Sequence, residues 1–80
     1  RQIWGRTELS LRDRSLITIT QLASLGNLEE LALHLRATKN TGLSKSDVKE
    51  ALMQVGVYSG VPAANAAFRV AKKVFEEMED

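Results

Sequence analysis

Cysteine is absent from the 80 residues, so disulfides and thiolate metal sites are excluded from the outset. Histidine occurs once, which leaves a metal centre dependent on two or more further ligands from elsewhere; none is expected. No apolar run approaches the ~20 residues that span a bilayer, and Arg1 to Glu8 lacks the apolar stretch of a secretory signal. The cytoplasm is therefore the expected compartment, with no membrane partner. Charge of a single sign is missing too: eleven basic and ten acidic residues are interspersed and give a net charge of +1. With no basic stripe to neutralise phosphates, nucleic acid is not an expected partner. Aromatics make up only 5%.

What is present is a 44% hydrophobic content drawn mainly from Ala, Leu and Val, which suits helices that pack closely. A chain this short buries barely enough apolar surface to offset its conformational entropy. Without disulfides or metal, the remaining stability is expected from packing against other copies of itself, hence a homo-oligomer. Residues 1–80 read as a single domain. The chain starts without methionine, at a Trp-containing segment resembling the middle of a domain, so further residues are expected upstream of Arg1.

The pattern predicts four helices. Ser10 followed by Asp13 is a capping-box-like start for a helix over Leu11 to Leu25, with Gly26 as its stop. Ile17, Ile19 and the neighbouring threonines would also suit a strand, but the cap and the length favour helix. Asn27 and Glu30 repeat the capping device before a second helix from Leu28 to about Asn40, with Leu28, Leu31, Ala32 and Leu35 as its apolar face and Gly42 as its stop. Ser44 and Asp47 open a third helix, ending near Tyr58, whose Val48, Ala51, Leu52 and Val55 share one side. Ser59 and Gly60 break the pattern, and Pro62 suits the first turn of a fourth helix. That helix is thin at its start (Ala63, Ala64, Ala66, Ala67) and bulky later (Phe68, Val74, Phe75, Met78). Its acidic end, Glu76, Glu77, Glu79 and Asp80, opposes the helix dipole and is expected to fray into solvent.

Chemistry concentrates on the second helix. At ~100° per residue, Glu30 and His34 are one turn apart on the same sector. A carboxylate there can orient an imidazole and tune it as a general acid or base. The alternative is structural: Glu30 caps the helix and His34 sits half exposed. Arg36 points to another sector, so one subunit could not easily aim both at one small ligand, whereas a neighbouring subunit could. Arg12 and Arg14 are further anion-binding candidates, although most arginines near helix ends are solvated surface groups. The serines read as caps, helix positions or a turn, with no Gly-x-Ser-x-Gly elbow, and the five glycines form no phosphate loop.

Three segments carry a resemblance. Leu11-Arg12-Asp13-Arg14-Ser15-Leu16-Ile17-Thr18-Ile19, Leu31-Ala32-Leu33-His34-Leu35-Arg36-Ala37 and Tyr58-Ser59-Gly60-Val61-Pro62-Ala63-Ala64-Asn65-Ala66-Ala67-Phe68 resemble, in order, the carboxymuconolactone decarboxylase family. The resemblance implies an all-α subunit of the AhpD-like helical fold, assembling into homo-oligomers, commonly hexamers, with sites near subunit contacts. It also implies relatives of two kinds: cofactor-free decarboxylases, and peroxidase-like proteins that carry Cys-x-x-Cys-x-x-x-His. Asn27 and Glu30 stand where those cysteines would fall, which rules out thiol redox chemistry.

Decarboxylation of gamma-carboxymuconolactone, or a closely similar carboxylated lactone from aromatic catabolism, is the activity the resemblance implies. The substrate is its own electron sink, so no cofactor is required. In this reading His34 delivers a proton or hydrogen-bonds the developing oxyanion, and Glu30 orients it. An arginine binds substrate carboxylate, Arg36 first, with Arg14 and Ser15 beside the site if the family packing holds; Tyr58 and Asn65 are further polar candidates. The competing reading keeps the fold and assembly without catalysis, as a binding or scaffold module. A decarboxylase or isomerase of another small carboxylated lactone or ketone is a third.

Overall fold

The computed structural model describes residues 3–79, and its elements follow the local signals closely. A 3-10 turn at Ile3–Gly5 precedes five helices: α1 Leu11–Leu25, α2 Leu28–Arg36, α3 Thr38–Thr41, α4 Lys45–Ser59 and α5 Val61–Met78. The described residues contain no strand, so the all-α expectation holds and the β-branched residues of α1 are helical.

The Ser10 hydroxyl accepts from the Asp13 backbone N–H at 3.0 Å, satisfying one of the orphan donors at the start of α1. At the other end Gly26 adopts φ 75°, a left-handed conformation that a residue with Cβ resists. The Gly26 N–H then donates to the Ala23 carbonyl, and that of Asn27 to the Leu22 carbonyl, a Schellman closure. This closure corrects the expected Asn27–Glu30 capping box. With its own N–H bound back into α1, Asn27 is held at φ −82°, ψ 73°, and its side chain makes no capping hydrogen bond to α2.

The predicted second helix is broken into two. Thr38 is buried and donates its hydroxyl to the Leu35 carbonyl at 2.7 Å, while the Asn40 N–H reaches only three residues back, to Ala37. These tighter bonds end α2 at Arg36 and restart the chain as the single turn α3. By contrast, the capping box of α4 forms in full. Ser44 Oγ accepts from the Asp47 N–H and Asp47 Oδ2 accepts from the Ser44 N–H, each at 3.0 Å. Arg12 adds a 2.9 Å ion pair to Asp47, fastening the start of α1 to the start of α4. The backbone hydrogen bond from Ser44, with smaller help from its hydroxyl and from Arg12, holds the Asp47 carboxyl below its usual pKa of 3.8 against a weaker opposing desolvation.

Helix α5 lies against α4, α2 and α1, and its small residues are what allow this. Ala64, Ala67, Ala71 and Val74 are buried on one stripe and meet Val48, Leu52 and Val55 of α4, Leu31 and Leu35 of α2, and Ile19 and Ala23 of α1. A Cβ placed on Gly56 would lie 3.4 Å from that of Ala64, so α4 and α5 run close at this level. The buried hydroxyls are paired: besides the Thr38 bond, Thr41 Oγ1 donates to Ser15 Oγ at 3.1 Å and joins α1 to α3.

The acidic end does not fray as expected. Helix α5 continues to Met78, with Glu77 paired to Arg36 at 3.3 Å and Glu79 paired to Lys45, so cations on α2 and α4 compensate the unfavourable dipole position. Asp80, the last of that acidic run, lies outside the described residues.

Removing the α4 cap with Ser44→Ala should cost about 1 kcal/mol in a denaturant titration at neutral pH, with the m-value unchanged. Because the folded-state pKa of Asp47 is depressed, its contribution is complete above 3.8 and is lost as pH falls through the lower, folded value. Melting temperatures measured across that acid window should therefore fall more steeply for the unaltered protein than for Asp47→Asn.

Candidate active site

His34 occupies the last turn of α2, half-buried, one turn before the buried Thr38. Its imidazole is not left in solvent. The indole of Trp4, from the 3-10 turn that precedes α1, stacks on it with ring centroids 6.0 Å apart and planes inclined by 19°. That geometry falls within the range of attractive ring pairs. Glu30 is exposed one turn earlier, and among the described residues no ion pair or hydrogen bond joins its carboxylate to His34.

The arginines separate clearly. Arg36 turns to α5, where its guanidinium meets Glu77, and so faces away from the His34 sector. Arg12 is held by Asp13 and Asp47. Arg14, half-buried on α1, has no carboxylate partner among the described residues, and its Nε is buried without a hydrogen bond. Its chain neighbour Ser15 is buried and bonded to Thr41, and Thr41 lies two turns beyond His34. The Ser15–Thr41 bond thus ties the helix that carries Arg14 to α3, the single turn that follows the His34 helix.

Tyr58 and Asn65 lie at the other end of the subunit. Tyr58 is 81% exposed near the end of α4, and Asn65 is exposed in the second turn of α5. The Arg36–Glu77 pair sets the C-terminal ends of α2 and α5 level, and Asn65 is about 18 Å down the α5 axis from Glu77 at 1.5 Å per residue. Within one subunit neither meets His34; only another copy could bring them there.

Surface grooves lie elsewhere. One of about 380 Å³ runs between α1 and α4, bounded by Leu16, Thr20, Asp47 and Glu50. Another of about 290 Å³ runs between α2 and α5 beside Arg36 and Glu77. A third of about 270 Å³, floored by Leu52, Phe68 and Phe75, separates α4 from α5. His34 lines none of the three. Among the described residues no group of three or more His, Asp and Glu side chains is placed to hold a metal ion, and no helix is long and apolar enough to cross a membrane.

Periodicity could not reveal Trp4, because it belongs to no amphipathic pattern. The available signal was scarcity: the sole tryptophan stands in a polar, non-periodic stretch outside the core.

Comparison with known proteins supplies the context for this arrangement. The chain is 42% identical over 77 residues to a 4-carboxymuconolactone decarboxylase of Acinetobacter baylyi, an alignment covering 96% of this chain and 58% of that protein. It is 32% identical over 78 residues to nitrosuccinic acid decarboxylase npaB of Metarhizium robertsii, covering 98% and 54% respectively. A protein of Paracoccus denitrificans described only as an uncharacterized 15.0 kDa protein is 28% identical over 79 residues, covering 96% and 59%. The chain thus spans little more than half the length of the relatives it matches. The model of the carboxymuconolactone decarboxylase family matches residues 1–73, through α1, the His34 helix and most of α5, and the chain belongs to that family.

Proposed function

We propose that the whole protein is a cofactor-independent decarboxylase of gamma-carboxymuconolactone or a closely similar carboxylated lactone. The observation that carries this reading is a half-buried imidazole and an arginine without a carboxylate partner among the described residues, in a chain whose relatives include two named decarboxylases.

The chemistry asks for little more. When the carbon–carboxylate bond breaks, its electron pair passes through the ring double bond into the lactone carbonyl, and carbon dioxide leaves. The resulting dienolate is protonated on carbon to give the enol-lactone. His34 supplies that proton and recovers it from solvent, or hydrogen-bonds the oxyanion while it exists. Glu30, one turn away, would reach the imidazole on substrate binding and orient it. The same logic suits the second relative's named substrate, since a nitro group beside a carboxylate also accepts the electron pair.

A carboxylate needs a planar cationic partner, and Arg14 rather than Arg36 is the better choice in this subunit because Glu77 already engages Arg36. Arg36, Tyr58 and Asn65 join the site, in this reading, from a neighbouring copy. Assembly as a cytoplasmic homohexamer is part of the proposal. It draws support from the apolar side chains of Leu25, Val57, Tyr58 and Val61, which remain exposed around the Ser59–Ser24 hydrogen bond.

Purified full-length protein should convert gamma-carboxymuconolactone to the enol-lactone without added cofactor. His34→Ala should preserve the oligomer while lowering kcat by about 10²-fold or more; turnover unchanged in that variant would refute the role. Arg14→Ala should raise KM by about tenfold or more, as expected for a lost charge-assisted carboxylate contact. The reverse result, with Arg36→Ala raising KM and Arg14→Ala leaving it alone, would transfer substrate binding to Arg36.

A further inference from the structure

We infer that Trp4 is a positioning residue for His34: its indole fixes the plane of the imidazole and covers one ring face, so that a ligand approaches the edge or the opposite face. The inference rests on the reading of His34 as proton donor and adds what makes that donor directional.

The need for such a group follows from rotamer physics. Rotation of an imidazole about its Cβ–Cγ bond is a broad, two-fold torsion with weak intrinsic preference. A general acid must nevertheless aim one nitrogen at one carbon atom. Glu30 and His34 share no hydrogen bond among the described residues, so the carboxylate does not restrain the ring in this structure. The stacked indole does, because turning the imidazole out of the 19° alignment would sacrifice that stacked contact.

Placement supports the same conclusion. The turn Ile3–Gly5 is closed by the Arg6 N–H donating to the Ile3 carbonyl at 3.1 Å, yet none of its residues is buried. Trp4 is not among the side chains packed on the hydrophobic core. The largest aromatic of the chain is thus placed against His34 rather than against the apolar interior.

Proton NMR can test the contact once the His34 ring signals are assigned by their loss in His34→Ala. In the whole protein the His34 ring protons should lie upfield, shifted by the indole ring current, and should return to unperturbed positions in Trp4→Ala. In the lactone assay Trp4→Ala should lower kcat by about tenfold with KM within about twofold, and Trp4→Phe, which keeps a stacking face, should restore kcat to within about threefold. A purely structural role would lower thermal stability and leave kcat per folded site unchanged. Unshifted His34 protons, or full turnover in Trp4→Ala where His34→Ala is inactive, would overturn the positioning role and leave the decarboxylase reading standing. Full turnover in both variants would overturn the role of His34 and this inference together. Absence of turnover in the unaltered protein would refute the decarboxylase reading, and the ring-current shift would still decide whether Trp4 holds the ring.

Discussion

The stripe of small residues on α5 is the constraint from which the rest of the subunit follows. Ala64, Ala67 and Ala71 let α5 approach α4, α2 and α1 together, and the short distance at Gly56 shows how near two backbones come. Dispersion and apolar burial depend on such close approach, and a chain lacking disulfides has few other sources of stability. Once α5 is central, Leu31 and Leu35 must point inward, and the pitch of α2 then carries His34 to its flank and Arg36 toward the end of α5.

That geometry divides the polar residues into two sets. Arg12, Arg36 and Lys45 are paired with Asp47, Glu77 and Glu79, and these pairs tie together helix ends distant in sequence. Exposed pairs of this kind contribute little individually, so their value lies in fixing which ends meet. Arg14 and His34 stand outside that network, Arg14 beside Ser15 of the part-buried Ser15–Thr41 bond and His34 on the helix before Thr41. Neither has a carboxylate partner among the described residues.

The absent cysteines bear on reaction class within the family. Asn27 and Glu30 occupy the turn in front of His34, and neither can form a thiolate. Asn27 is instead drawn into the closure of α1 through its backbone, while Glu30 faces solvent. In the proposed decarboxylase the same helix would present its histidine for proton transfer with no thiol beside it.

The helix starts at Ser10 and Ser44, the stop at Gly26, the amphipathic faces and the Glu30–His34 spacing were legible in the sequence. Each depends on residues within a few positions of one another, where propensity and capping act. The Asn27–Glu30 box failed because the backbone of α1 claimed Asn27, and the second helix broke because burial of Thr38 favoured a tighter turn. Which of the candidate arginines Arg12, Arg14 and Arg36 lacks a carboxylate partner, whether the acidic end is anchored and what stacks on His34 were decided only by tertiary structure. Glu77 lies far from Arg36 in the chain and Trp4 far from His34. Such partners are chosen by how helices pack around the α5 stripe, and a local pattern holds no record of that choice.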